Sequence, residues 1–130
     1  MEKAKAALEP HKTAFELAKN AGIPIAMGTD FVGGPLLPHG ENAQELELMV
    51  KAGMTPMEAI ISATQISAKA LGMGEQIGTI EKGKSADILI LDDNPLNDIS
   101  ILQSKERIRM VIKEGNIFIN KEASVNRLPI

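Results

Sequence analysis

The sequence of 130 residues contains no cysteine, tryptophan or tyrosine, and aromatic residues make up only 2% of it. Because cysteine is absent, disulfides, cysteine-ligated zinc sites and thiol nucleophiles are excluded. Proteins that bind single-stranded nucleic acid stack bases on aromatic side chains, so the scarcity of aromatics argues against that function.

The sequence also lacks a strong charge of one sign and long apolar runs. Its formal net charge is −3 at pH 7, so no general attraction to nucleic acid or to anionic lipid is expected. No apolar stretch approaches the roughly 20 residues of a membrane-spanning helix, and the first residues are charged, unlike a signal peptide. We therefore predict a soluble, cytoplasmic protein with neither nucleic-acid nor membrane partners.

Among the features that are present, the stretch from Gly22 to Asp30 is the most informative. A glycine is followed by a short apolar run and then by a single carboxylate. The run predicts a buried strand of the parallel type, although periodicity alone does not distinguish it from a buried helical segment. At a strand end Asp30 is either a catalytic group, as in α/β barrels, or a turn cap.

Helices are predicted on both sides of this stretch. Pro10 is expected to divide the first helical region, with a second helix from Pro10 to residue 20. Capping boxes are recognised at residues 42–45 and 55–58. His39 and Gly40 end a loop rich in glycine and proline. They precede the helix predicted to begin at residue 42, whose first N–H groups can bind a carboxylate or phosphate.

The region after residue 73 is predicted to be mainly β. Its expected elements are a strand at 77–80, a turn at 81–84, a strand at 88–91 covered on both faces, and a hairpin formed by 108–112 and 117–119. Lys82 and Lys84 are expected to face solvent, Asp87 to bond the main chain, and Asp98 to cap a short helical turn.

Several stretches occur in a characteristic order along the chain. They are Gly22-Ile23-Pro24-Ile25-Ala26-Met27-Gly28-Thr29-Asp30, Pro38-His39-Gly40-Glu41-Asn42, Glu45-Leu46, Gly53-Met54-Thr55-Pro56-Met57-Glu58-Ala59-Ile60, Ala63-Thr64, Ala68-Lys69-Ala70-Leu71-Gly72, Ile77-Gly78-Thr79-Ile80-Glu81-Lys82-Gly83-Lys84-Ser85-Ala86-Asp87-Ile88, Leu91-Asp92 and Asn94-Pro95-Leu96. Together they resemble the amidohydrolase superfamily of metal-dependent hydrolases, in its imidazolonepropionase-like and Xaa-Pro dipeptidase-like branch. The resemblance extends from about residue 10 to residue 119.

The resemblance implies an α/β fold that is the C-terminal segment of a metal-dependent hydrolase TIM barrel. Residues 1–72 would form the C-terminal part of the (β/α)8 barrel, its last strand plus helices. Residues 73–130 would form the C-terminal half of a composite β-sandwich domain, the flanking small β-domain.

The resemblance also implies a reaction, which is hydrolysis of amide (C–N) bonds in dipeptides, N-acyl amino acids or cyclic amides. The family uses one or two divalent metals, often zinc. Asp30 matches the last-strand aspartate that ligates the metal and takes a proton from the attacking water. His39 and Gly40 would contact a substrate carboxylate, or His39 would make a hydrogen bond that fixes the loop.

The chain departs from the family pattern in its ligands. It has no His-x-His pair and only two histidines, His11 and His39. A hydrolytic zinc site generally needs three protein ligands. The chain is therefore expected to be a hydrolase fragment inactive alone, a subunit of a split hydrolase, or a non-catalytic assembly module. Unpaired strand edges predict a homo-oligomer or association with the missing N-terminal part.

Overall fold

In the computed structural model, the main chain is described for residues 2–30 and 40–121, and the side chains from residue 9 onward. The helices are α1 (Glu2–Asn20), α2 (Gln44–Lys51), α3 (Pro56–Ile61) and α4 (Ser67–Ala70), with a π-helical turn (Ser62–Ile66) between α3 and α4. The strands are β1 (Ile88–Leu91), β2 (Ile108–Lys113) and β3 (Asn116–Asn120), and two 3-10 helices (Ile99–Gln103, Lys105–Arg107) precede β2. No helix in the described ranges is both long and apolar enough to cross a membrane.

Helix α1 is continuous, so the predicted division at Pro10 is wrong. Proline lacks an N–H group and disfavours the helical conformation of the residue before it. Here Pro10 lies inside a helix of 19 residues whose flanking residues are mostly alanine, lysine and glutamate. These residue types have high helix propensity, and only one of many main-chain bonds is lost.

The two predicted capping boxes have different outcomes. The one at Thr55 is confirmed, because the Thr55 side chain accepts from the Glu58 amide and the Glu58 carboxylate accepts from the Thr55 amide. The one at Asn42 is wrong, since helix α2 begins after Ala43 without a side-chain cap. Short turn bonds already occupy the first amides, including Gln44 N–H to the carbonyl of Glu41 at 3.1 Å.

The hydrophobic core joins the helices rather than the sheet. Its buried residues come from α2, α3, the intervening turn and the first 3-10 helix, and they are Leu46, Met49, Met54, Ala59 and Ile99. Ile25 and Met27 pack against this cluster from the segment that follows α1. Gln103 also donates to the Glu47 carboxylate at 2.8 Å, which ties the 3-10 helix to α2.

The three strands form one antiparallel sheet in the order β1-β2-β3. The predicted hairpin is confirmed, and Gly115 adopts a φ of 77° in its turn. Strand β1 is also confirmed, but it is not covered on both faces, because Leu89 and Ile90 are 51% and 43% exposed. Asp98 caps the first 3-10 helix, and Asp87 accepts from the Glu114 amide at 2.7 Å, both as predicted.

The strand predicted at residues 77–80 is absent, and the predicted exposure of Lys84 is wrong. Gly78 lies against the π-helical turn, and a Cβ atom placed on it would be 2.6 Å from the Cβ of Ala68. Lys84 is largely buried and donates to the carbonyl of Gly74 at 2.7 Å and to the Thr79 hydroxyl at 2.6 Å.

Residues 23–30, named here the Asp30 segment, were predicted to form a buried strand. The segment pairs with no described strand, so this prediction is wrong for the part of the chain that the structure covers. Its residues nevertheless alternate in burial, with Ile25, Met27 and Thr29 partly covered and Ala26 and Gly28 exposed. A strand needs a ladder partner, and here the π-helical turn takes that place through Ser62.

Candidate functional site

Asp30 ends the Asp30 segment and is exposed. Its φ of 45° lies in the left-handed region, which aspartate adopts more readily than most residues other than glycine. The main chain therefore turns sharply at this carboxylate, as expected for a residue at the end of an element. An exposed carboxylate in this position is free to contact a ligand.

Ser62 bonds the Asp30 segment to the helical core. The hydroxyl of this fully buried serine donates to the carbonyl of Ile25 at 2.6 Å. Its own carbonyl accepts from the amide of Met27 at 3.4 Å. In a parallel ladder, the N–H of one residue likewise donates to a residue of the neighbouring strand. Its carbonyl accepts from the residue two positions further along that same strand. Ser62 thus imitates a strand residue paired with Ala26, with its hydroxyl in place of the N–H.

Two further side chains extend this attachment toward Asp30. The Ser67 hydroxyl lies 2.7 Å from the carbonyl of Ser62 and 3.4 Å from that of Met27, and can donate to either. The Asn42 amide donates to the Thr29 hydroxyl at 3.2 Å. Main-chain or side-chain groups of residues 25, 27 and 29 are therefore all bonded to the π-helical turn, to α4 or to the turn before α2.

The π-helical turn explains how Ser62 and Ser67 reach the same segment. In a π-turn the hydrogen bond spans five residues, and the Ser67 amide donates to the carbonyl of Ser62 in this way. The insertion shifts the residues after it around the helix axis relative to a regular α-helix. Such turns occur frequently at functional sites.

Gly40 and His39 were predicted to contact substrate. Gly40 has a φ of 93°, which favours glycine, and a Cβ atom placed on it would be 3.2 Å from Cε of Lys105. The end of the Lys105 side chain therefore lies beside Gly40, which is itself exposed. His39 lies outside the described residues.

The described residues do not form a metal site by themselves. Within the described ranges, no group of three histidine, aspartate or glutamate side chains could hold a metal ion. Asp30 supplies one carboxylate, and His11 lies exposed on α1. Because one carboxylate is fewer than the three ligands of a hydrolytic zinc centre, these donors do not fit a complete site.

Glu47 and Glu58 have lowered pKa values, and both make hydrogen bonds that hold the fold together. Hydrogen bonds from Lys51 and Gln103 lower the pKa of Glu47. The Thr55 amide and then the Thr55 hydroxyl lower the pKa of Glu58. Both groups stabilise helix termini or contacts between helices.

Comparison with known protein families matches residues 1–118 to the amidohydrolase family. The chain belongs to the amidohydrolase family. Its sequence is 36% identical over 118 residues to ochratoxinase from Aspergillus niger, covering 89% of this chain and 24% of the relative. It is 41% identical over 81 residues to imidazolonepropionase from Flavobacterium johnsoniae, covering 62% of this chain and 20% of the relative.

Solved amidohydrolase structures agree with the sequence comparison. The crystal structure of A. niger ochratoxinase matches with a TM-score of 0.81 and 35% identity, covering 92% of this chain and 27% of that one. A Xaa-Pro dipeptidase with methionine bound in its active site matches with a TM-score of 0.74 and 38% identity, covering 84% and 25%. The chain thus spans about a quarter of the length of the relatives it matches.

Ser62, Ser67 and Asn42 were not predicted to bond the Asp30 segment. One signal for Ser62 was available, because it lies beside the apolar stripe of a helix and a polar residue there must find a partner. The partner itself is 37 residues away along the chain. Asn42 was read as a helix cap, which is the commoner use of asparagine before a helix.

Proposed function

We propose that this chain contributes Asp30 to the active site of a metal-dependent amidohydrolase that hydrolyses amide (C–N) bonds. Substrates of the dipeptide, N-acyl amino acid or cyclic amide class fit this proposal, in a dipeptidase, carboxypeptidase or imidazolonepropionase-like enzyme. The supporting observation is the position of Asp30, exposed at the end of a segment bonded to a buried core.

In this proposal Asp30 is a metal ligand and a proton carrier. A divalent metal, zinc in the first instance, supplies a water of lowered pKa when it is bound. Asp30 would accept a proton from that water and would return it to the leaving amine as the C–N bond is hydrolysed. The further ligands would come from residues beyond those described, in the same polypeptide or in a partner.

We also propose the two-part organisation with a boundary near residue 72. The described α-helices end at Ala70 and the described strands begin at Ile88, which supports a barrel-derived part followed by a β part. His39 and Gly40 are proposed to contact substrate, since Gly40 lies just before α2. A cytoplasmic location stays a prediction.

The first test is the metal content of the purified chain after incubation with zinc, measured by elemental mass spectrometry. We compare the unsubstituted chain, Asp30→Ala, and Asp93→Ala as an exposed aspartate control. A zinc content near one equivalent per chain that is lost only in Asp30→Ala supports the role of Asp30 as a ligand. Equal metal content in all three excludes Asp30 as a ligand in this chain.

The second test supplies the ligands that the described residues lack. In a chimera, this chain replaces the matching quarter of A. niger ochratoxinase, and hydrolysis of that enzyme's own substrate is measured. We expect Asp30→Ala to lower kcat/KM by about 10²–10⁴-fold, the usual contribution of a positioned proton carrier. Asp93→Ala should leave it unchanged. An Asp30→Ala chimera as active as its parent would refute the proposed role.

A further inference from the structure

The Asp30 segment has its main chain bonded to a helix instead of to a strand. Ile25 contributes its carbonyl and Met27 its amide to Ser62, and the Met27 carbonyl lies within reach of the Ser67 hydroxyl. From Met27 to Asp30 the chain advances three residues, so Asp30 stays within about 11 Å of Met27 once Met27 is held.

We infer that Ser62 and Ser67 are positioning residues that set where the Asp30 carboxylate lies. This inference rests on the proposed role of Asp30, but the attachment itself can be tested without activity. The π-helical turn is what brings the two hydroxyls to one segment, because it contributes one extra residue between them.

Burial makes the Ser62 bond consequential. Ser62 is fully buried and its hydroxyl also lies 4.0 Å from the sulfur of Met49. If the hydroxyl is removed, the carbonyl of Ile25, which belongs to a partly buried residue, loses its donor. A buried acceptor without a donor is costlier than an exposed one.

The matched control is Thr64, which lies in the same π-helical turn. Its hydroxyl donates to the carbonyl of Ile60 at 2.7 Å within its own helix, and it is exposed. Thr64→Ala therefore removes a hydroxyl from the same turn without removing a bond to the Asp30 segment.

The experiment measures amide hydrogen exchange by NMR in the 130-residue chain. In Ser62→Ala and Ser67→Ala we expect the amide of Met27, which is bonded to the Ser62 carbonyl, to exchange at least roughly fivefold faster, the factor for one ordinary hydrogen bond. Amides of strand β2 serve as the internal reference and should be unchanged. Thr64→Ala should match the unsubstituted chain at every one of these amides.

A spectroscopic signature separates positioning from general stability. The side-chain carboxyl carbon of Asp30 should give one sharp signal in the unsubstituted chain and a shifted or broadened signal in Ser67→Ala. Ser67→Thr keeps the hydroxyl and should restore the original signal. This pair remains informative if Ser62→Ala does not fold.

Three results would overturn the inference. They are unchanged exchange at Met27 in Ser67→Ala, equal acceleration in strand β2, and failure of Ser67→Thr to restore the Asp30 signal. If the attachment is confirmed but Asp30→Ala leaves the chimera active, the positioning stands and the proposed catalytic role of Asp30 fails.

Discussion

The hydroxyl of Ser62 donates to the carbonyl of Ile25 across 37 residues of sequence, at a distance of 2.6 Å. Together with the Met27 amide, which donates back to the Ser62 carbonyl, this bond gives the Asp30 segment the pairing that a neighbouring strand would supply. The segment keeps these main-chain groups satisfied while Asp30 remains exposed.

Gly78→Ala is expected to destabilise the fold strongly. Gly78 has a φ of 94°, and an added Cβ atom would lie 2.6 Å from the Cβ of Ala68 and 3.0 Å from the carbonyl oxygen of Thr64. Left-handed strain costs about 1–2 kcal/mol for alanine, and overpacking adds about 1–3 kcal/mol. Urea unfolding should therefore show a loss of roughly 2–5 kcal/mol.

Gly83→Ala is the control for this substitution. Gly83 has the same φ of 94°, but no atom lies within 4 Å of the added Cβ. In Gly83→Ala the free energy of unfolding should fall only by the left-handed strain, about 1–2 kcal/mol. Equal losses for the two variants would show that contact with the π-helical turn is not tight.

The capping box at the start of α3 should make stability depend on pH. The Thr55 amide donates to the Glu58 carboxylate at 2.6 Å and lowers its pKa below the ordinary value. A carboxyl with a lowered pKa in the folded state stabilises it above the unfolded pKa of about 4.3. This stabilisation is lost as the pH falls through the lower, folded value.

Urea unfolding at pH 7 and at about pH 3 measures this effect. In Glu58→Gln the loss of stability on acidification should be smaller than in the unsubstituted chain. The control is Glu75→Gln, at an exposed glutamate after α4, which should lose as much stability on acidification as the unsubstituted chain. Thr55→Ala should cost about 1 kcal/mol at pH 7. Identical pH dependence in Glu58→Gln and the unsubstituted chain would contradict the assignment.

The 130-residue chain, produced alone, is expected to associate with a second copy through its sheet. Leu89, Val111 and Ile119 lie side by side on one face, and Leu89 and Ile119 are about half exposed. The outer edges of β1 and β3 pair with no described strand. Open edges with apolar side chains favour pairing between copies.

Size-exclusion chromatography with light scattering should therefore show a molar mass that rises with concentration. Ile119→Lys places a charge on the edge strand and should reduce the rise. Leu71→Lys, at an apolar side chain that lies outside the sheet at the end of α4 and is 71% exposed, should not. A constant monomer mass across a wide concentration range would contradict the prediction.

Local signals in the sequence determined much of the β part and one helix start. Gly115 permits the positive φ of the hairpin turn. Thr55 and Glu58, three residues apart, each accept a hydrogen bond from the other's amide. The Asp98 carboxylate accepts from the amide two positions further on. Each feature depends on neighbours within a few residues, so composition and spacing suffice to predict it. The family resemblance likewise follows from residues read in order.

Tertiary structure decided the features whose partners are remote in the chain. Asn42 bonds Thr29 instead of capping α2, Lys84 turns inward to Gly74 and Thr79, and Ser62 takes the place of a strand beside Ile25. In each case a polar group could form its hydrogen bond with a neighbour in the sequence or with a residue remote in the chain. Which bond forms depends on burial and on the packing of the helices, and these exist only once the chain has folded.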